Sequence, residues 1–147
     1  MRNHVSESRF WQAQGGRVFV GRLATGSDLV EEIQDFCAAQ NIRAAWVSLV
    51  GAVTKATFGY YEQQEQRYIE LTSELHHEIS GFIGNISMRD GTPFLHAHAT
   101  FAEREGGALG GHLLPGCTVF VGEVTIREMT GVDLTRTPDE VTGLALW

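Results

Sequence analysis

The chain has 147 residues, 43% hydrophobic and 20% charged, enough for one domain with its own core and unlike a disordered segment. Eleven basic residues against 18 acidic ones give a net charge of −7, and no two Lys or Arg are adjacent, which argues against a broad phosphate-gripping surface. No apolar run approaches the roughly 20 residues needed to cross a bilayer, and Met1-Arg2-Asn3-His4-Val5-Ser6-Glu7 lacks the apolar stretch of a signal peptide, so a cytoplasmic location is expected.

No repeat, low-complexity tract or linker divides the sequence, so 1–147 is read as a single domain with a core over about 17–128 and polar tails. Residues 1–16 are polar except for Phe10 and Trp11. Arg17 to Leu23 alternates as a first strand. A helix follows, with Ser27 as its expected N-cap, Asp28, Glu31 and Glu32 at the positive end of its dipole, and a core stripe of Leu29, Ile33 and Phe36 joined by Val30 and Cys37. It is expected to stop at Gln40-Asn41.

The remainder reads as β. Ile42 to Val50 is apolar enough for a central strand, Gly51 punctuates it, and Val53 to Tyr61 is expected as a separate strand. A polar turn at Glu62 to Glu65 precedes Tyr68 to Leu71, and strand character resumes over His77 to Met88. Asp90-Gly91 is a strong hairpin signal, returning the chain through Phe94 to Glu103. A second turn at Glu105-Gly106-Gly107 leads into Ala108 to Leu114, and Val119 to Met129 is the last long strand. Thr130 to Glu140 is polar, with Leu144 and Trp147 expected to dock a tail. One helix followed by antiparallel strands predicts an α+β fold. Cys37 and Cys117 lie in unrelated stretches, form no CxxC pair, and read as reduced core residues.

The chemistry concentrates in three histidines. His96 and His98 are two apart, so on a strand both rings leave the same face. A turn centred on Glu105 places His112 directly opposite His98, with Cβ atoms roughly 4.5–5.5 Å apart. Three neutral imidazoles with an open fourth position are the ligand set of a catalytic zinc site, so zinc or another divalent metal is the implied cofactor. The alternative is a set of hydrogen-bonded interior histidines or polar residues at a subunit interface. A one-residue slip in the turn would send His112 to the other face.

Other candidates carry less. His76 and His77 are adjacent and face opposite ways, one expected at the surface and one partly buried; His4 lies in a tail. The glycines around Gly106-Gly107 and Gly110-Gly111 match neither GxGxxG nor a P-loop and read as turn geometry and close backbone approach. Ser48, Ser80 and Ser87 lack a GxSxG context. Glu103 and Glu123 are candidates for a base or extra ligand, but read more simply as solvated strand carboxylates.

Residues 17–128 resemble the PPC (plants and prokaryotes conserved) domain family, in its bacterial single-domain type. The resemblance rests on Arg22-Leu23 with Gly26-x-Asp28-Leu29, Ala44-Ala45-x-Val47-Ser48, Gly51-Ala52-Val53 and Ala56-Thr57-x-Gly59-Tyr60. It continues in Gly84-Asn85-Ile86-Ser87, Asp90-Gly91-x-Pro93-Phe94-x-His96-x-His98 and Gly110-Gly111-His112-Leu113. It implies a mainly antiparallel sheet flanked by few helices, assembling as a homotrimer, with the three histidines as motif positions. Family members are often labelled DNA-binding, and plant members join this domain to an AT-hook. The Arg-Gly-Arg core of that hook is missing here, so direct nucleic-acid binding is not expected.

Two functions follow. One is a trimeric metal-binding domain, hydrolytic or sensing a small-molecule ligand; the other is a DNA-binding or transcription-related interaction module without catalytic activity. A cupin is set aside. His96-x-His98 with Glu103 and Gly110 imitates its first metal motif, but Gly91 is one residue too near, no second motif follows, and an early helix sits poorly in that fold.

Overall fold

Alternating apolar residues in most strands need a cover on one face only, and the computed structural model, which describes residues 7–147, supplies it with a single helix. In chain order the elements are β1 (Gln14–Leu23), α1 (Leu29–Ala39), β2 (Ala45–Glu62), β3 (Arg67–Ser73), β4 (His77–Arg89) and β5 (Thr92–Ala102). They continue with β6 (Ala108–Leu113), β7 (Thr118–Thr130) and two short strands, β8 (Thr137–Pro138) and β9 (Ala145–Leu146). His4 lies outside the described residues.

Seven strands form one antiparallel sheet in the order β1-β7-β2-β4-β5-β6, with β3 on β2, and β6 returning to pair with β2 through Phe58–Leu113 and Gly59–His112. The long strand β2 serves both ends of that circuit. Val53 to Tyr61, expected as a separate strand, is therefore the second half of β2: the ladder to β7 continues across Gly51, and register shifts on either side let the strand bend without ending. At Asp90-Gly91 both residues have positive φ, 50° and 79°, as the expected tight turn requires.

The helix differs from expectation at two positions. Asp28, not Ser27, is the N-cap: its carboxylate accepts from the backbone N–H groups of Val30 and Glu31. The Ser27 hydroxyl is occupied elsewhere, on the Ala24 carbonyl and the Glu32 carboxylate. Phe36 is not sealed in the core but sits at its edge, stacked edge-to-face on Phe19 with centroids 5.2 Å apart. Leu29, Val30, Ile33 and Cys37 are buried as expected, and Gln34 fixes the helix to the sheet by accepting from the Leu95 N–H.

The core lies between α1 and one face of the sheet, where Val47, Ile86, Ala97, Phe101 and Ile126 are nearly inaccessible. The opposite face carries Val18 and Val20 of β1, Trp46 and Val50 of β2 and Ile83 of β4, all exposed. The register places this face in line with the histidines, since Trp46 pairs with Asn85, Asn85 with His96, and Ile83 with His98.

Candidate metal centre

On β5 the residues Leu95, Ala97 and Ala99 point into the core, so His96 and His98 between them must leave the other face. The β5–β6 turn is centred on Glu105, with Ala102 paired to Ala108 and the ends tied by Glu103 N–H to the Gly107 carbonyl. His98 and His112 are consequently direct partners, as the sequence implies. The closure of β6 on β2 presses the chain at Gly111 against the Gly59 carbonyl, which a Cβ would meet at 2.6 Å, so the strand carrying His112 can approach only with glycine there.

The three rings form a triangle with centroids 5.4 Å apart for His96–His98, 5.1 Å for His96–His112 and 5.7 Å for His98–His112. One nitrogen from each ring lies within 4.8 Å of the others. Burial lowers His96 to about 4, aided by the charges of Arg136 and His98. Burial likewise lowers His112 to about 4, aided by His96, His98 and Arg136. Both are neutral at physiological pH, the state in which imidazole ligates a metal. The Nδ1 of His112 is buried without a hydrogen-bond partner among the described residues, a costly arrangement for a polar atom. Three neutral nitrogens with no thiolate or carboxylate among them suit zinc and its first-row neighbours.

The sequence gives no hint of Arg136. It lies in the polar stretch after β7, expected only as a tail, yet it is anchored, half-buried, beside the histidines. Its Nε donates to the Ser87 hydroxyl, Nη1 to the Ala145 carbonyl and Nη2 to the Asn85 carboxamide oxygen, while Nη2 also lies 3.3 Å from His96 Nδ1. The local chain is held by Met88, whose N–H donates to the Leu134 carbonyl and whose carbonyl accepts from the Arg136 N–H. An always-charged guanidinium cannot accept a proton, so its contact makes His96 Nδ1 the acceptor and puts the ring proton on Nε2. Coordination through either nitrogen therefore requires His96 to give this contact up.

Tyr68 of β3 stacks on His112 at 4.8 Å, and the residues from Gly143 to Leu146 wall the far side, enclosing a cleft of about 720 Å³ over the histidines. The tail docks as expected, Trp147 meeting Trp11 edge-on at 5.7 Å.

The remaining candidates do not join the site. His77 is buried, hydrogen-bonded to the Ser73 hydroxyl and the Ala102 carbonyl, and His76 is exposed. Glu103 and Glu123 are exposed and stand apart from the histidine cluster. Ser87 serves Arg136, and Ser48 and Ser80 are exposed. Cys37 and Cys117 are buried free thiols, raised by that burial to about 12 and about 11, which makes them inert.

Residues 11–130 match the Plants and Prokaryotes Conserved (PCC) domain model. The chain belongs to this family. A metal-containing protein from Archaeoglobus fulgidus is 37% identical with a TM-score of 0.91, covering 95% of this chain and 99% of that one. A plant- and prokaryote-conserved protein from Pyrococcus horikoshii is 32% identical with a TM-score of 0.90, covering 95% and 96%. A Ralstonia eutropha protein, named as a candidate DNA-binding protein, is 25% identical over 86% and 88% of the two chains, with a TM-score of 0.77. Among curated relatives, a bifunctional GlmU protein from Synechococcus is 34% identical over 129 residues, covering 86% of this chain. The chain spans about a fifth of the length of the curated relatives it matches. No described helix is long and apolar enough to cross a membrane.

Proposed function

We propose that this PCC-domain protein is a metal-binding domain that holds zinc, or a similar divalent ion, on His96, His98 and His112 and acts on or senses a small molecule in the cleft above them. The observation that carries this reading is the convergence of three imidazole nitrogens within 4.8 Å, one ring with an orphaned buried nitrogen. The metal-containing Archaeoglobus relative supports it. Zinc held by His96, His98 and His112 would supply Lewis-acid activation of water or of a ligand oxygen. The chain's own contribution is to keep His96 and His112 neutral by burial, to orient His112 by stacking on Tyr68, and to wall the site with its C-terminal segment.

The reading includes a homotrimer, as the family resemblance implies. Its physical motive is the uncovered face bearing Val20 and Val50, 80% and 68% exposed, which burial against other copies would remove from water. The same face favours a second reading, a non-catalytic interaction module for transcription-related partners. Direct DNA contact has little physical support at a net charge of −7.

Elemental mass spectrometry of untagged protein beside a His96→Ala/His98→Ala double variant, with light scattering on both, is the test. About one ion per chain in the wild type, lost in the variant, is expected. A wild type that takes up no metal after zinc is added back sinks the metal site and leaves the interaction module; a monomer removes the trimer.

A further inference from the structure

In a chain with 18 acidic residues and a net charge of −7, the cleft over the histidines is lined, among the described residues, by no Asp or Glu, but by Arg67, Arg89 and Arg136. Arg67 is already neutralised by an exposed pair with Glu65 at 2.5 Å. Arg136 is not. It is half-buried, its hydrogen bonds go to neutral oxygens and the His96 ring nitrogen, and no carboxylate among the described residues pairs with it. Arg89, whose own carboxylate neighbour Asp90 is 3.9 Å away and almost fully exposed, sits close enough to repel it. The two guanidiniums lie 5.0 Å and 5.4 Å from the same Phe94 ring. Holding two cations together, one of them desolvated and without a counter-charge, is unfavourable unless an anion completes the arrangement.

We propose that the cleft is a receptor for a small organic oxyanion, its carboxylate or phosphoryl group held by Arg136 and Arg89 and its body packed on the aromatic walls formed by Phe94 and Tyr68. This deepens the proposed function and rests on it only for the ligand's second contact, at the metal. The planar, five-donor guanidinium fits either oxyanion in a forked geometry. A volume of about 720 Å³ suits a metabolite-sized ligand rather than a polymer. The position of Arg136 also links the two sites. Metal coordination by His96 would give up its contact with Nη2 and free that donor for a ligand.

The test is calorimetric titration of phenyl phosphate, benzoate and the uncharged control benzyl alcohol into zinc-loaded and metal-free protein. Arg136→Gln and Arg89→Gln would be titrated alongside, with circular dichroism to check folding. Arg89 is half-exposed and its side chain makes no hydrogen bond among the described residues, so its variant keeps the test alive if Arg136→Gln misfolds. One of the anions is expected to bind in preference to the alcohol, more tightly with zinc present. The affinity should fall about tenfold or more in Arg136→Gln and less in Arg89→Gln, and phosphate against carboxylate decides which oxyanion the site prefers. Zinc uptake with no preference for either anion overturns the receptor and leaves the metal site standing, as does unchanged anion affinity in both folded variants. Anion binding lost in Arg136→Gln, in protein that takes up no zinc, supports the receptor while the metal reading falls.

Discussion

Toward the helix, β5 presents Leu95, Ala97, Ala99 and Phe101, all nearly sealed from water; toward the cleft it presents Phe94, His96 and His98 between them. The first set is interchangeable in kind, since any apolar residues of the right volume would hold α1. The second set is not. With His112 of β6 it gathers three imidazoles, one of whose buried nitrogens is orphaned, beside two arginines packed against the Phe94 ring. Alternate residues of one strand thus separate stability from chemistry, and each half can be attacked without the other.

The largest effect is expected on the core face. Phe101 is fully buried and packs on Phe58 at 5.8 Å, so Phe101→Ala should cost about 3–5 kcal/mol in urea unfolding. A loss under about 1 kcal/mol would mean the two faces are not divided as described.

Smaller, and confined to the other face, is the effect of metal. Zinc at about a hundredfold over its Kd should add about 2.7 kcal/mol, a rise in Tm of roughly 5–10 °C for a chain of this length. His98→Ala, an exposed position, should keep the zinc-free Tm and lose the rise. An equal rise in that variant would place the ion elsewhere.

How much of this was legible follows the same division. The shared face of His96 and His98, the Asp90-Gly91 turn and the His98–His112 pairing were readable because alternation and turn chemistry are local and a hairpin fixes its own register. The N-cap was misplaced by one residue, because Ser27 and Asp28 are both good caps and only the neighbouring Glu32 and Ala24 decide which is free. The continuity of β2 was hidden by Gly51, whose role depends on a partner strand far along the chain. Arg136 was wholly illegible. Nothing in a polar stretch after the last long strand says that it returns over β4, and its partners Asn85, Ser87 and Ala145 are set by tertiary structure alone.

The smallest expected effect concerns pH, and it sharpens the contrast because the core thiols Cys37 and Cys117, raised by burial to about 12 and about 11, do not titrate in the acid range. In metal-free protein His96 and His112 are lowered from 6.5 to about 4, chiefly by burial. Between those values the unfolded chain binds more protons than the folded one, so stability must fall as the pH falls through the window and be level above it. The strongly lowered carboxylate of Glu128, near 2 beside Arg17 against 4.5 when free, adds its own loss of stability chiefly below about pH 5. Thermal unfolding of zinc-free protein from about pH 7 down to about pH 5 therefore isolates the histidines. His112→Gln should flatten the slope while leaving the Tm near pH 7 little changed. A wild type whose Tm is constant across that range would mean the rings are not desolvated, and the orphaned His112 nitrogen would lose its significance as a waiting ligand.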